Sequence, residues 1–140
     1  MAEDFNTRVI REFRENEGRV GPPFEGAPMI LVHHRGRRSG EERVTPLVFQ
    51  PVGDAFAVFA SAAGAPEQPA WYLNLVAAPE TTVEVGAEHR GAQVRVGVRD
   101  LTGEERDRVW EEQKRRAPGF ADYEEKAAPR QIPVVLLEPR

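Results

Sequence analysis

Met29-Ile30-Leu31-Val32-His33-His34-Arg35-Gly36-Arg37-Arg38-Ser39-Gly40-Glu41-Glu42-Arg43-Val44-Thr45-Pro46-Leu47-Val48-Phe49 is the stretch that decides the fold. Two apolar runs flank a polar loop. The pattern predicts strands over 29–34 and 43–50. Gly36 and Gly40 allow the backbone to turn through positive φ and bring its N–H groups close to a ligand. Arg35, Arg37 and Arg38 supply planar forks of donors, Arg43 follows, and Ser39 adds a hydroxyl. That set suits a phosphate or a carboxylate. The same residues describe, equally well, a solvated hairpin end in an arginine-rich chain. His33 and His34 are adjacent on a strand and must point to opposite faces. Pro46 lacks an N–H donor, so it marks an edge or a bulge.

Outward from this hairpin the chain reads as further short strands with a few short helices among them. Residues 2–17 carry Phe5, Val9, Ile10 and Phe13 at helical spacing, which predicts an amphipathic N-terminal helix within 1–17 whose first reading is simple packing, with cover for a barrel end or a ligand entrance as the alternative. Ala55–Ala60 is apolar throughout and reads as a strand buried on both faces. Ser61-Ala62-Ala63-Gly64 opens a loop of small side chains. A helix over roughly 68–77 takes Pro69 into its first turn and stops at Pro79. Trp71, Tyr72, Leu73, Leu75 and Val76 make that helix mostly buried, with Asn74 as the polar exception, bonded to a nearby backbone. Strands follow over Thr81–Val85 and 89–98. Thr102-Gly103-Glu104-Glu105 has the form of a capping box and starts a helix to about 116. Another helical turn or two spans Phe120 to Lys126, and Ile132–Leu137 is the last strand. Six strands without strict strand–helix alternation indicate a mainly β (α+β) domain, an antiparallel barrel with peripheral helices, over residues 1–140.

Composition excludes several classes of function. The chain has 140 residues, no cysteine, and a net charge of −4, so disulfides and cysteine-ligated metals are ruled out. General nucleic-acid binding is disfavoured, and the arginines at 35–43 stand out against an acidic background. No apolar run approaches the roughly 20 residues of a membrane helix, so no integral membrane segment is expected. The N-terminus lacks a secretory pattern, and a cytoplasmic location is the default. No nucleophile elbow, Walker A loop, G-x-G-x-x-G or metal-ligand spacing occurs, so no metal is expected. Any chemistry then comes from a cofactor.

Four blocks occur in order: Gly36-Arg37-Arg38-Ser39-Gly40 with Arg43 and Thr45-Pro46-Leu47; Ala60-Ser61 followed by Gly64; Pro69-Ala70-Trp71-Tyr72-Leu73-Asn74-Leu75; and Arg130-Gln131-Ile132-Pro133-Val134-Val135. Together they make the chain, from about residue 28 onward, similar to the deazaflavin-dependent nitroreductase family. These are FMN-binding-like split β-barrels that use coenzyme F420. The resemblance implies a six-stranded antiparallel split barrel and hydride transfer from reduced F420 to a quinone, a nitro compound or an enone. It places the cofactor's phosphate and acidic tail on Gly36, Arg37, Arg38, Ser39, Gly40 and Arg43, with Thr45 and Pro46 beside its chain. Ala60, Ser61 and Ala62 would lie against the ring, with Trp71 and Asn74 as walls. Tyr123 and Ser61 would serve as proton donors. It also implies a homodimer and, for a quinone acceptor, membrane association.

The chain departs from the family pattern at Ala62 and Ala63, where a lysine or asparagine and a glycine are common. Further departures are Leu73, where a histidine is frequent, and residues 1–27. An FMN-dependent reductase on the same barrel, and a non-catalytic carrier of a deazaflavin or a fatty acid, are the competing readings.

Overall fold

The computed structural model describes residues 5–16, 21, 28–86 and 93–140. Helix α1 (Phe5–Glu15) precedes strands β1 (Met29–Arg35), β2 (Glu42–Val52) and β3 (Ala55–Phe59). A 3-10 turn over Ala62–Gly64 leads to α2 (Ala70–Val76) and then β4 (Glu80–Glu84) and β5 (Gln93–Asp100). Helices α3 (Gly103–Arg116) and α4 (Gly119–Ala127) precede β6 (Val134–Pro139). The strands close a barrel in the order β1-β2-β3-β6-β5-β4, and every neighbouring pair is antiparallel. The six-stranded antiparallel barrel with peripheral helices is therefore present. The first residues of the expected 2–17 helix and the start of the expected 89–98 strand lie outside the described residues.

Period-two alternation divides the strands between three apolar clusters. Ile30 and Val32 of β1, Phe56 and Val58 of β3, and Val135 and Leu137 of β6 fill the barrel, joined by Val83, Val96 and Leu75. Their alternate neighbours point outward. Ala55, Ala57, Phe59, Val134 and Leu136 are covered by Val109 and Trp110 of α3 and Ala127 of α4. Met29 and Leu31 are covered by Val9 and Phe13 of α1. This is why β3 is apolar at every position, with all five residues buried. Each face has its own core.

β2 changes partner along its length. Its residues 42–48 pair with β1, and Phe49–Val52 pair with β3. Pro46, opposite Leu31, lies in the half without a β3 partner, where its missing donor costs no ladder bond.

Two local expectations need correction. Thr102 takes the N-cap position of α3 but makes no side-chain cap hydrogen bond. Glu105, the acid that a capping box would turn back on Thr102, instead accepts two bonds from Arg99 at 2.7 and 3.0 Å. Helix α2 is shorter and more exposed than its apolar composition suggests. Pro69 is its N-cap, only Asn74 and Leu75 are buried, and Val76 is exposed.

α1 is held by a clasp as well as by its apolar stripe. Arg14 donates to both oxygens of Glu84 at 3.0 and 2.7 Å, and His33 Nε2 lies 2.7 Å from Glu84 Oε2. Glu84 is buried on β4, so its carboxylate ties the helix to the β1–β4 seam. The hydrogen bonds from Arg14, with those from His33 adding to them, hold the Glu84 carboxyl below its ordinary value of 4.5 against the opposing effect of burial. A depressed carboxyl stabilises the fold above its unfolded value and loses that contribution as pH falls. Glu84→Gln is expected to cost about 1–2 kcal/mol near neutral pH. In urea unfolding followed from pH 7 to pH 3.5, the difference from wild type should shrink below about pH 4.5. A constant difference across that range would remove the ion pair from the account.

Candidate functional site

The six-residue loop between β1 and β2 is closed by its own backbone. Gly36 N–H donates to Glu41 O at 2.9 Å and Gly40 N–H to Gly36 O at 2.8 Å. Ser39 Oγ accepts the Glu41 N–H at 3.2 Å. Gly40 has φ +73°, and a Cβ on Gly36 would fall 2.4 Å from Ser39 Oγ. Both glycines are thus required by the turn itself. Asn74 of α2 fixes the loop from outside: its Oδ1 accepts the backbone N–H of Arg37 at 3.1 Å and Arg37 Nη1 at 3.3 Å. The backbone contact expected of Asn74 is present, and it lands on the arginine loop.

A cleft of about 1000 Å³ opens beside this loop. The loop lines it with Gly36, Arg37, Arg38 and Ser39, β1 with His34, and β2 with Arg43, Val44 and Thr45. Ala70, Trp71 and Asn74 of α2 form another wall, and Phe5, Asn6, Thr7 and Ile10 of α1 close the remaining side. Among the described residues, three arginines line it and no aspartate or glutamate does. Arg43 reaches only Glu41, at 3.4 Å and with both side chains well exposed, a contact worth little. His34 is held below its ordinary value by burial first, then by the charges of Arg43 and His33, which favours the neutral ring. Tyr72, next to Trp71, turns to Asp100 with a 2.6 Å hydrogen bond. Burial, with that bond and the carboxylate charge, pushes Tyr72 up to about 12, so it stays protonated.

The expected site residues fall into two groups. Gly36, Arg37, Arg38, Ser39, Arg43, Thr45, Trp71 and Asn74 share this cleft. Gly40 lines a second cleft, of about 690 Å³, behind the wall formed by His34, Arg37 and Asn74. Pro46, Ala60, Ser61, Ala62 and Tyr123 line neither. Ala60 is buried at the end of β3, Ser61 precedes the 3-10 turn, and Ala62 within it has φ +47°. Tyr123 lies in the outer cluster against Phe120, with ring centroids 5.2 Å apart. α4 packs closely on the turn, since a Cβ on Gly64 would fall 2.7 Å from Lys126 Cβ.

One arginine organises this second group. Arg130 Nη1 donates to Ala60 O at 3.0 Å and to Gln68 Oε1 at 2.5 Å. Its Nη2 reaches Ser61 O at 2.8 Å and its Nε reaches Ala65 O at 3.0 Å. A planar fork is suited to this task and an ammonium is not. The grip fixes residues 60–68, the approach to α2. Sequence reasoning assigned no role to Arg130 or His34, nor to individual residues of α1. The amphipathic pattern of α1 and the Arg130-Gln131-Ile132-Pro133 block were the available signals.

Residues 6–139 match the family model described as F420H2-dependent quinone reductase. A relative in Mycobacterium tuberculosis (strain H37Rv), Rv3178, provisionally named an F420H2-dependent quinone reductase, is 35% identical over 125 residues, covering 87% of this chain and 99% of its own. Among solved structures, an F420-H2 dependent reductase (FDR-A) superposes with a TM-score of 0.69 at 33% identity, over 79% of this chain and 94% of that one. A second, described as a domain-swapped dimer, has the same TM-score and identity and covers 79% and 80% of the two chains. A match along almost the whole sequence and a shared barrel lead to one conclusion: the chain belongs to the F420H2-dependent quinone reductase family.

Proposed function

We propose that the protein is an F420H2-dependent oxidoreductase acting on a quinone, with nitro compounds and enones as further acceptors of the same electronic kind. The observation that carries this reading is the cleft: three arginines, with no carboxylate among the described lining residues, next to an indole and aliphatic walls. That donor set fits a flat, anionic cofactor. Arg37, Arg38 and Arg43 would hold the phosphate with charge-assisted bonds, and Ser39 and Thr45 would add hydroxyl contacts. Trp71, Ile10 and Val44 would shelter the ring.

When bound in reduced form, coenzyme F420 supplies a hydride. The protein's own part is to orient the ring, exclude water and see that the reduced acceptor is protonated. Tyr123 and Ser61 are proposed for that proton on the family resemblance, although neither lines the cleft beside the arginine loop. FMN on the same barrel has no support from the family match. No helix among the described residues is long and apolar enough to cross a membrane. Assembly as a homodimer is proposed from the dimeric relative, and a cytoplasmic location is proposed with it.

Titration with oxidised F420, with FMN as competitor, tests the assignment through tryptophan fluorescence. Trp71 lines the cleft and Trp110 of α3 is buried against β3 and α4, so quenching by F420 should come from Trp71. Replacing Arg37 and Arg38 together by alanine is expected to weaken F420 binding at least tenfold, about 1.4 kcal/mol, with an unchanged melting temperature. Equal affinity would remove the phosphate role from the loop. Tyr123→Phe should slow turnover several-fold and spare cofactor affinity; full activity would leave Tyr123 as packing. Arg130→Lys should lower stability by about 1–3 kcal/mol and reduce kcat more than it raises the KM for F420H2. A stability loss with unaltered kinetics would limit Arg130 to the fold.

A further inference from the structure

His34 is buried at the point where the cleft meets the barrel, and both its ring nitrogens are engaged. Nε2 lies 2.9 Å from Thr45 Oγ1, and Nδ1 lies 3.2 Å from Asn74 Nδ2. The direction of each bond follows from an unambiguous donor, the backbone N–H of Arg37. It needs an acceptor, so the side of Asn74 facing Arg37 is the carbonyl. The Asn74 NH2 therefore faces His34 and donates to Nδ1. Nδ1 is then bare, the proton sits on Nε2, and Nε2–H donates to Thr45 Oγ1. With one lone pair of Thr45 occupied in this way, its hydroxyl hydrogen is left to point elsewhere, and Thr45 lines the cleft.

We propose that His34 is a positioning residue of the cofactor cleft, locked as the Nε2–H tautomer so that Asn74 holds Arg37 and Thr45 offers its hydroxyl as a donor. The proposal rests on the reading of this cleft as the F420 site. A protonated His34 would bring an N–H at Nδ1 against the Asn74 NH2. Two donors would then face each other. Turning the amide over relieves that clash only by placing the NH2 against the Arg37 N–H. Either way the tether of the arginine loop is lost.

The charged and titratable groups around His34 are His33 and Arg35 on β1, Glu42 and Arg43 on β2, and Arg37 and Arg38 in the loop. Among the described residues, Glu80 on β4 and Arg95 on β5 complete the set across the second cleft. The faces of α1 and α2 at the two clefts carry no titratable side chain. Of these groups Arg43 and His33 act on the ring, and both oppose its protonation. The tether is therefore intact above the ordinary histidine value of 6.5 and fails as pH falls through the lower value of the folded protein. This sign distinguishes positioning from plain attraction: an imidazolium added to three guanidiniums would tighten the binding of an anion as pH falls.

The test is the Kd for oxidised F420 between pH 8 and pH 5 for wild type, His34→Asn and His34→Phe. Asparagine keeps an acceptor near Nδ1 for Asn74 and does not titrate; phenylalanine offers none. At pH 8, His34→Asn should bind within threefold of wild type and His34→Phe at least tenfold more weakly, as a higher KM for F420H2 at similar kcat. Relative to His34→Asn, wild type should lose affinity below pH 6.5. Parallel profiles, tightening of wild type at low pH, or equal losses in both variants would overturn the proposal.

A long-range 1H–15N correlation spectrum of the ligand-free protein provides a readout independent of cofactor. The resonances that vanish in His34→Asn should show the Nε2–H tautomer at pH 7.5, and an Nδ1–H or doubly protonated ring would overturn the assignment. Wild type that binds no F420 at any pH would defeat the cofactor reading instead, and the spectrum would still decide the tautomer.

Discussion

The register between β1 and β2 governs how the cleft is assembled. Seven consecutive pairs, from Met29 opposite Val48 to Arg35 opposite Glu42, fix which side chains of each strand face the barrel. His34 and Thr45 meet because both belong to the inward set near the open end, whereas His33 goes outward to Glu84. A slip of one residue would put Leu31 inside and His34 beneath α1. The apolar faces on both sides, each with its own cover, oppose such a slip more strongly than any single hydrogen bond does.

Charge separates the two clefts on either side of the His34–Asn74 wall. Among the described residues, the charged side chains bordering the one beside Trp71 are arginines, although the chain as a whole is acidic. The other includes Glu42 and Glu80 together with Arg35 and Arg95. An anion gains most where positive groups are not already answered by local carboxylates. Of the two clefts, the Trp71 side combines an excess of positive charge with a flat apolar wall, which suits a ligand with a ring at one end and a phosphate at the other.

Much of this was legible in the chain itself. Uniform apolarity in Met29–Val32 and Ala55–Ala60 announces strands that are covered on both faces. The Gly36–Gly40 loop announces an anion because glycine and arginine combine close backbone approach with planar donors. The remainder depends on tertiary contacts that no local pattern encodes. Asn74 reads as a structural amide until α2 is docked against the loop. Arg130 reads as one arginine among many until four acceptors from residues 60–68 converge on it. Thr102 has the local signature of a cap, but Arg99 on the neighbouring strand claims the acid it needs. Local preference yields there to a bidentate ion pair.

The change of partner along β2 has a consequence for how such a protein diversifies. Residues 42–48 belong to the ligand end through β1, while Phe49–Val52 belong to the barrel through β3. Substitutions in the first half alter the mouth of the cleft without touching the contact between Phe49 and Phe56, whose rings meet edge-on at 5.4 Å. One strand thus contains a variable segment and a constant one in series. Changes in the first half can therefore retune the mouth of the cleft while the barrel contacts of the second half stay in place.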